Sequence, residues 1–115
     1  MAPPRRVLIV EDEMLVAMMI EDALTDLGLE VAGTVGTIEE ALVEAAKDGF
    51  DCAILDVHLH GKDVYPVAEA LAARGVPFVF ATGYGQEGLP EKYRGRPSLP
   101  KPFTRQDLKR VLAKL

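Results

Sequence analysis

The chain of 115 residues has a single cysteine, Cys52, and no tryptophan. One thiol cannot close an internal disulfide, which excludes the small stapled scaffolds of secreted proteins and points to a reducing cytoplasm. Long hydrophobic runs are missing too. Near the N-terminus only Val7 to Val10 are consecutively apolar, too few for a signal-peptide core, and no stretch approaches membrane-spanning length. Positive charge is in deficit, with 13 Lys and Arg against 18 Asp and Glu and a net charge of −5. Neither nucleic acid nor an anionic membrane is therefore an expected partner. There are no repeats, linkers or low-complexity segments. What remains is 49% hydrophobic and 27% charged, a composition that builds a core. The length suits one domain over residues 1–115, with no room for an output domain.

Short apolar runs alternate with helical patterns from end to end. The runs are Val7–Val10, Val31–Val35, Ala53–Leu55, Phe78–Ala81 and Ser98–Leu99, continuous rather than alternating, as suits parallel strands covered on both faces. Between Glu13 and Leu27, Val16, Met19, Ile20, Ala23, Leu24 and Leu27 form one stripe of helical period, and Gly28 is a C-cap candidate. Thr37 with Glu40 predicts a capping box for a helix that Gly49 ends, with Ile38, Ala41, Leu42 and Ala45 inward. A third helix is expected from about Asp63 to Arg74, closed by Gly75. The last has Thr104 as N-cap, Asp107 three residues on, Phe103 placed to staple onto Leu108, and a stripe of Leu108, Val111, Leu112 and Leu115. Between Gly85 and Pro97, glycine and proline permit only a turn or two near Pro90–Arg94, or a mobile loop. The predicted fold is α/β, a doubly wound five-stranded parallel sheet of order 2-1-3-4-5 with a short or irregular fourth helix. Its ligands are expected beyond the carboxyl ends of the strands.

Charged and hydroxyl residues gather at those ends. Glu11 and Asp12 follow the first strand, Asp56 ends the third, Thr82 the fourth and Lys101 the fifth. Two carboxylates about 5 Å apart repel by roughly 3 kcal/mol at an effective dielectric near 20. A cation relieves that repulsion, and hard oxygen donors suit Mg²⁺, with Mn²⁺ the alternative. On this reading Asp12→Asn is expected to raise the metal-free melting temperature. Asp56 offers a nucleophile for phosphoryl transfer, Lys101 an ammonium and Thr82 a hydroxyl for the phosphoryl oxygens.

In order and spacing, Val-Glu-Asp-Glu (10–13), Leu-Asp-Val (55–57), Ala-Thr-Gly-Tyr (81–84) and Leu-Pro-Lys-Pro-Phe (99–103) resemble the response-regulator receiver domain over essentially the whole chain. The resemblance implies a flavodoxin-like fold and a two-component signalling role. Asp56 would be the phosphoacceptor, and Asp12, Asp56 and the main-chain carbonyl of His58 would bind the metal. Glu11 would reach the metal through water, Lys101 would pair with the phosphoryl group and Thr82 would report its arrival. A cis peptide between Lys101 and Pro102 is also implied. The phosphoryl donor would be a histidine kinase or histidine phosphotransferase, with a downstream protein as target. Autophosphorylation and dephosphorylation would be the only catalysis, so the chain is not read as an enzyme. Pro77 to Gly85 and Val64 to Ala68 are similar to the FAT GUY branch of receivers. Two positions depart from the common pattern. Ser98 stands where an aromatic is usual on the last strand, which makes Tyr84 a switch candidate beside Thr82. His60 stands where many receivers have proline.

Other features have plainer readings. His58 and His60 flank the acidic pocket, but without a further soft ligand they read as exposed loop residues rather than zinc ligands. His58 is also a candidate for tuning hydrolysis of the acyl phosphate. Met14, Leu15 and Met18 lie off the inward stripe of the first helix and suit an adaptable docking surface for a kinase or phosphotransferase. A flavodoxin-type electron carrier would need a Ser-, Thr- or Gly-rich loop where Glu11-Asp12-Glu13 stands. A phosphatase of the haloacid dehalogenase type would need Asp-x-Asp-x-Thr, where the chain has Asp56-Val57-His58-Leu59-His60. A phosphorelay step, a phosphate sink, a receiver cut from a longer regulator, or one that binds without being phosphorylated remain as alternatives.

Overall fold

A computed structural model describes residues 5–83 and 89–115. Five parallel strands form the central sheet: β1 (Arg6–Val10), β2 (Glu30–Val35), β3 (Cys52–Asp56), β6 (Phe78–Thr82) and β7 (Ser98–Pro100), in the order β2-β1-β3-β6-β7. This is the expected topology of the central sheet. A separate antiparallel hairpin of β4 (His58–Leu59) and β5 (Lys62–Asp63) was not foreseen. Helices α1 (Met14–Asp26), α2 (Ile38–Ala45), α3 (Tyr65–Ala73) and α4 (Arg105–Leu112) cover the sheet, and a single 3-10 turn at Glu91–Tyr93 stands where the short fourth helix was expected.

The continuous apolar runs are divided between two faces because successive strand residues point to opposite sides. Val7, Ile9, Cys52, Ile54, Val79, Ala81 and Leu99 pack with residues of α1 and α4. Leu8, Val10, Ala53, Leu55, Phe78 and Phe80 pack with residues of α2, α3 and the 3-10 turn. In that second layer Tyr93 stacks on Tyr65 with ring centroids 5.5 Å apart and meets the edges of Phe80 and Phe78 at 5.2 and 6.4 Å. Lys92 reaches Glu69 on α3 at 2.7 Å, and the Arg96 guanidinium lies 4.6 Å from the Phe78 ring centre. Among the described residues, these contacts cover that face through the turn at Glu91–Tyr93.

Several boundaries differ from expectation. The core-facing seam of α1 is Ala17, Ile20 and Leu24; Met19, placed on the stripe by period alone, is 59% exposed at its margin. On α2, Leu42 is likewise exposed, while Ala41 and Ala45 are buried. That helix stops at Ala45, short of Gly49, and Arg74 donates to the carbonyls of Ala45 and Lys47 at its C-terminal end. Asp63 belongs to the hairpin, so α3 begins at Tyr65 with Pro66 in its first turn. Thr104 forms the expected box, but at Thr37 only half of it is made, because the Thr37 hydroxyl, not its N–H, donates to Glu40 Oε1. Thr37 Oγ1 accepts from the Glu40 N–H at 3.1 Å, and the full reciprocal box joins Thr104 and Asp107. Phe103 packs into the cluster that holds Leu108, as a staple would.

Candidate functional site

The five strands of the central sheet are parallel, so their carboxyl ends share one edge, and the residues that follow them meet there. The Glu11 N–H donates to the Val35 carbonyl at 2.9 Å, extending the β1–β2 ladder and drawing the Glu11 side chain into the interior, only 4% exposed. Asp56 closes β3 opposite Ala81 of β6. Thr82, also buried, ends β6, and its carbonyl accepts from the Lys101 N–H at 2.9 Å, which fixes where the lysine leaves β7. The peptide from Lys101 to Pro102 is cis.

Lys101 bridges two of the carboxylates, with Nζ 2.9 Å from Glu11 Oε1 and 3.3 Å from Asp56 Oδ1. Oxygen atoms of Glu11, Asp12 and Asp56 lie within 4.8 Å of one another. The cleft of about 280 Å³ beside them is lined by Asp12, Asp56, His58, His60, Thr82 and Lys101, among others.

The electrostatics divide unevenly. Burial pushes the Glu11 carboxyl up to about 8, the neighbouring Asp56 adds to the rise, and Lys101 opposes it. Partial burial would raise Asp12 as well, but hydrogen bonds from the His60 N–H and its own N–H outweigh it and hold the carboxyl below its ordinary 3.8. For Lys101 burial acts to lower the ammonium, yet the Glu11 hydrogen bond and the two carboxylates hold it above its usual range. Three carboxylates against one ammonium leave two negative charges when all are ionised. An all-oxygen donor set in which carboxylates outnumber the ammonium fits a hard divalent cation such as Mg²⁺.

The structure thus brings Glu11, Asp12, Asp56, Thr82 and Lys101 together. His58 lines the same cleft as the first residue of β4, but its imidazole turns outward, 55% exposed, with Nδ1 3.1 Å from Asp63 Oδ1. Tyr84 lies outside the described residues. Met14, Leu15 and Met18 form an exposed apolar surface on α1, at 76%, 76% and 51%. The main chain of His60 joins the site as well, its N–H donating to Asp12 Oδ2 at 3.0 Å, a contribution outside the side-chain motifs. Its signal was the His60-Gly61 pair between Leu59 and Lys62, a two-residue turn sequence.

A family model, the response regulator receiver domain, matches residues 7–113. The chain belongs to that family. It is similar to the transcriptional regulatory protein PdtaR of Mycobacterium tuberculosis, with 36% identity over 111 residues, 93% of this chain and 54% of PdtaR. The chain therefore spans about half the length of that relative. Among solved structures, SdrG from Sphingomonas melonis Fr1 is 49% identical with a TM-score of 0.87, covering 98% of this chain and 97% of SdrG. The receiver domain of the sensor histidine kinase PA1611 from Pseudomonas aeruginosa PAO1, solved with a magnesium ion coordinated in its active site cleft, is 29% identical with a TM-score of 0.83 over 96% of each chain.

Proposed function

We propose that the protein accepts a phosphoryl group on Asp56 from a phosphohistidine of a kinase or phosphotransferase and signals through the resulting change in its surface. The observation that carries this reading is Lys101 Nζ held 3.3 Å from Asp56 beside two further carboxylates. An Asp56 carboxylate oxygen attacks phosphorus, the P–N bond to the donor imidazole breaks, and the imidazole leaves. Lys101 moves from pairing carboxylates to pairing the phosphoryl oxygens, and Thr82 offers its hydroxyl to another. Asp12, Asp56 and, by family likeness, the His58 carbonyl would hold Mg²⁺ or Mn²⁺, with Glu11 at one remove. The ion would supply charge neutralisation at the transferring oxygens. A magnesium ion in the PA1611 receiver supports that assignment.

The exposed Met14, Leu15 and Met18 on α1 form the docking surface for the phosphoryl donor. The Phe78-Val79-Phe80-Ala81-Thr82 strand supports placement in the FAT GUY branch. Turnover of outside substrates is not expected, and the proposal places the protein in the cytoplasm together with its phosphoryl donor. SdrG is matched over 97% of its length and PdtaR over 54%, so stand-alone signalling and a place within a longer regulator are the two readings of context. Acetyl phosphate with Mg²⁺, followed by intact-mass measurement, tests the chemistry. Wild type should gain one phosphoryl group, and Asp56→Ala none. An unmodified wild type, or equal modification of both, overturns the proposal.

A further inference from the structure

Between Asp56 and α3 the chain turns through His60 and Gly61, with φ of 49° and 77°. Two successive left-handed residues are what a two-residue type I′ hairpin turn requires. That turn aims the His60 main-chain N–H at Asp12, a partner 48 residues away in sequence, where it donates to Oδ2 at 3.0 Å. The imidazole is a weaker presence. Its Nδ1 stands 3.8 Å from the same oxygen, and its side chain is 64% exposed. The turn takes one of the carboxylate's acceptor sites, and Asp12 still lines the cleft with others to offer.

We infer that His60 is a positioning residue for cation binding: its main-chain N–H fixes the orientation of Asp12, while its imidazole is dispensable. The inference rests on the proposed metal-dependent function and names what sets one of its ligands. Carboxylate ligands depend on such outer partners, and losing one typically weakens metal binding about tenfold to a hundredfold. The physical requirement is a donor on a left-handed residue. Glycine and asparagine satisfy it. Proline satisfies neither half, since it has no N–H and its φ is locked near −65°.

Two measurements decide the matter. In the first, Mg²⁺ is titrated calorimetrically into wild type, His60→Gly, His60→Asn and His60→Pro. The glycine and asparagine variants should keep wild-type affinity, and the proline variant should lose about tenfold or more. Equal affinity in the proline variant, or an equal loss in all three, overturns the inference. In the second, amide exchange at His60 is compared in metal-free wild type and Asp12→Ala. Protection should fall in the variant, and unchanged exchange overturns the inference even if His60→Pro fails to fold. Absence of Mg²⁺ binding by wild type would instead overturn the proposed function, with the exchange result still deciding the link between turn and carboxylate.

Discussion

Within the acidic cleft Glu11 and Asp12 are adjacent in sequence yet opposite in electrostatic situation. Asp12 has N–H donors and stays ionised below its ordinary value, whereas burial drives Glu11 up to about 8. A carboxyl whose folded value lies above its unfolded 4.5 weakens the folded state as pH rises between the two values. Metal-free Glu11→Gln removes that penalty. Its melting temperature relative to wild type should therefore climb from pH 5 to pH 8, as thermal melts in chelator would show; a constant difference would contradict the assignment. Asp12→Asn, which the sequence alone marks as the stabilising change, should not raise the metal-free melting temperature at pH 7. It exchanges a favoured anion for a neutral amide. Sequence shows that the charges crowd together. Which of them bears the cost depends on N–H groups from a turn far along the chain.

Among the elements, α4 and the aromatic layer give the clearest expectations. The Thr104 main-chain N–H donates to Asp107 and holds its carboxyl below the ordinary 3.8. A folded value below the unfolded one adds stability above about 3.8 and loses it as pH falls through the lower value. Wild type should thus out-melt Asp107→Ala at pH 7, with the gap closing toward pH 2.5. Tyr93, buried among three aromatic rings, fixes the 3-10 turn. Tyr93→Ala should cost about 3 kcal/mol, roughly 12 °C in melting temperature by calorimetry. A loss near zero would mean that the turn does not seal the core. These elements also mark what patterning can disclose. Apolar runs and caps announce the five strands of the central sheet and the start of α4. The strands of the β4–β5 hairpin stay hidden, because two residues are too short to display a period, and only the His60-Gly61 turn pair hints at it. Met19 is misplaced because a 3.6-residue repeat defines a stripe without fixing how the helix is rotated on the sheet.

At the scale of the whole molecule, a cation that binds only the folded chain must stabilise it. At ten times its dissociation constant Mg²⁺ should add about 1.4 kcal/mol. A rise in melting temperature with Mg²⁺ in wild type, abolished when Asp12 and Asp56 are both replaced by Ala, checks this; an equal rise in the double variant would place the ion elsewhere. The convergence of Glu11, Asp12, Asp56, Thr82 and Lys101 was legible because a parallel sheet collects strand ends on one edge. Their pairing was not, since the Lys101 bridge to both Glu11 and Asp56 depends on distances that spacing does not encode.

The outermost strand on the β7 side has a different bearing on how such molecules meet. It is three residues long, Ser98–Pro100, with Pro97 before it and Pro102 soon after. A row this short, with a proline inside it, offers an incoming chain almost no main-chain donors to zip onto. Sheet extension between copies is thereby discouraged along this flank, and any meeting there must be made by side chains.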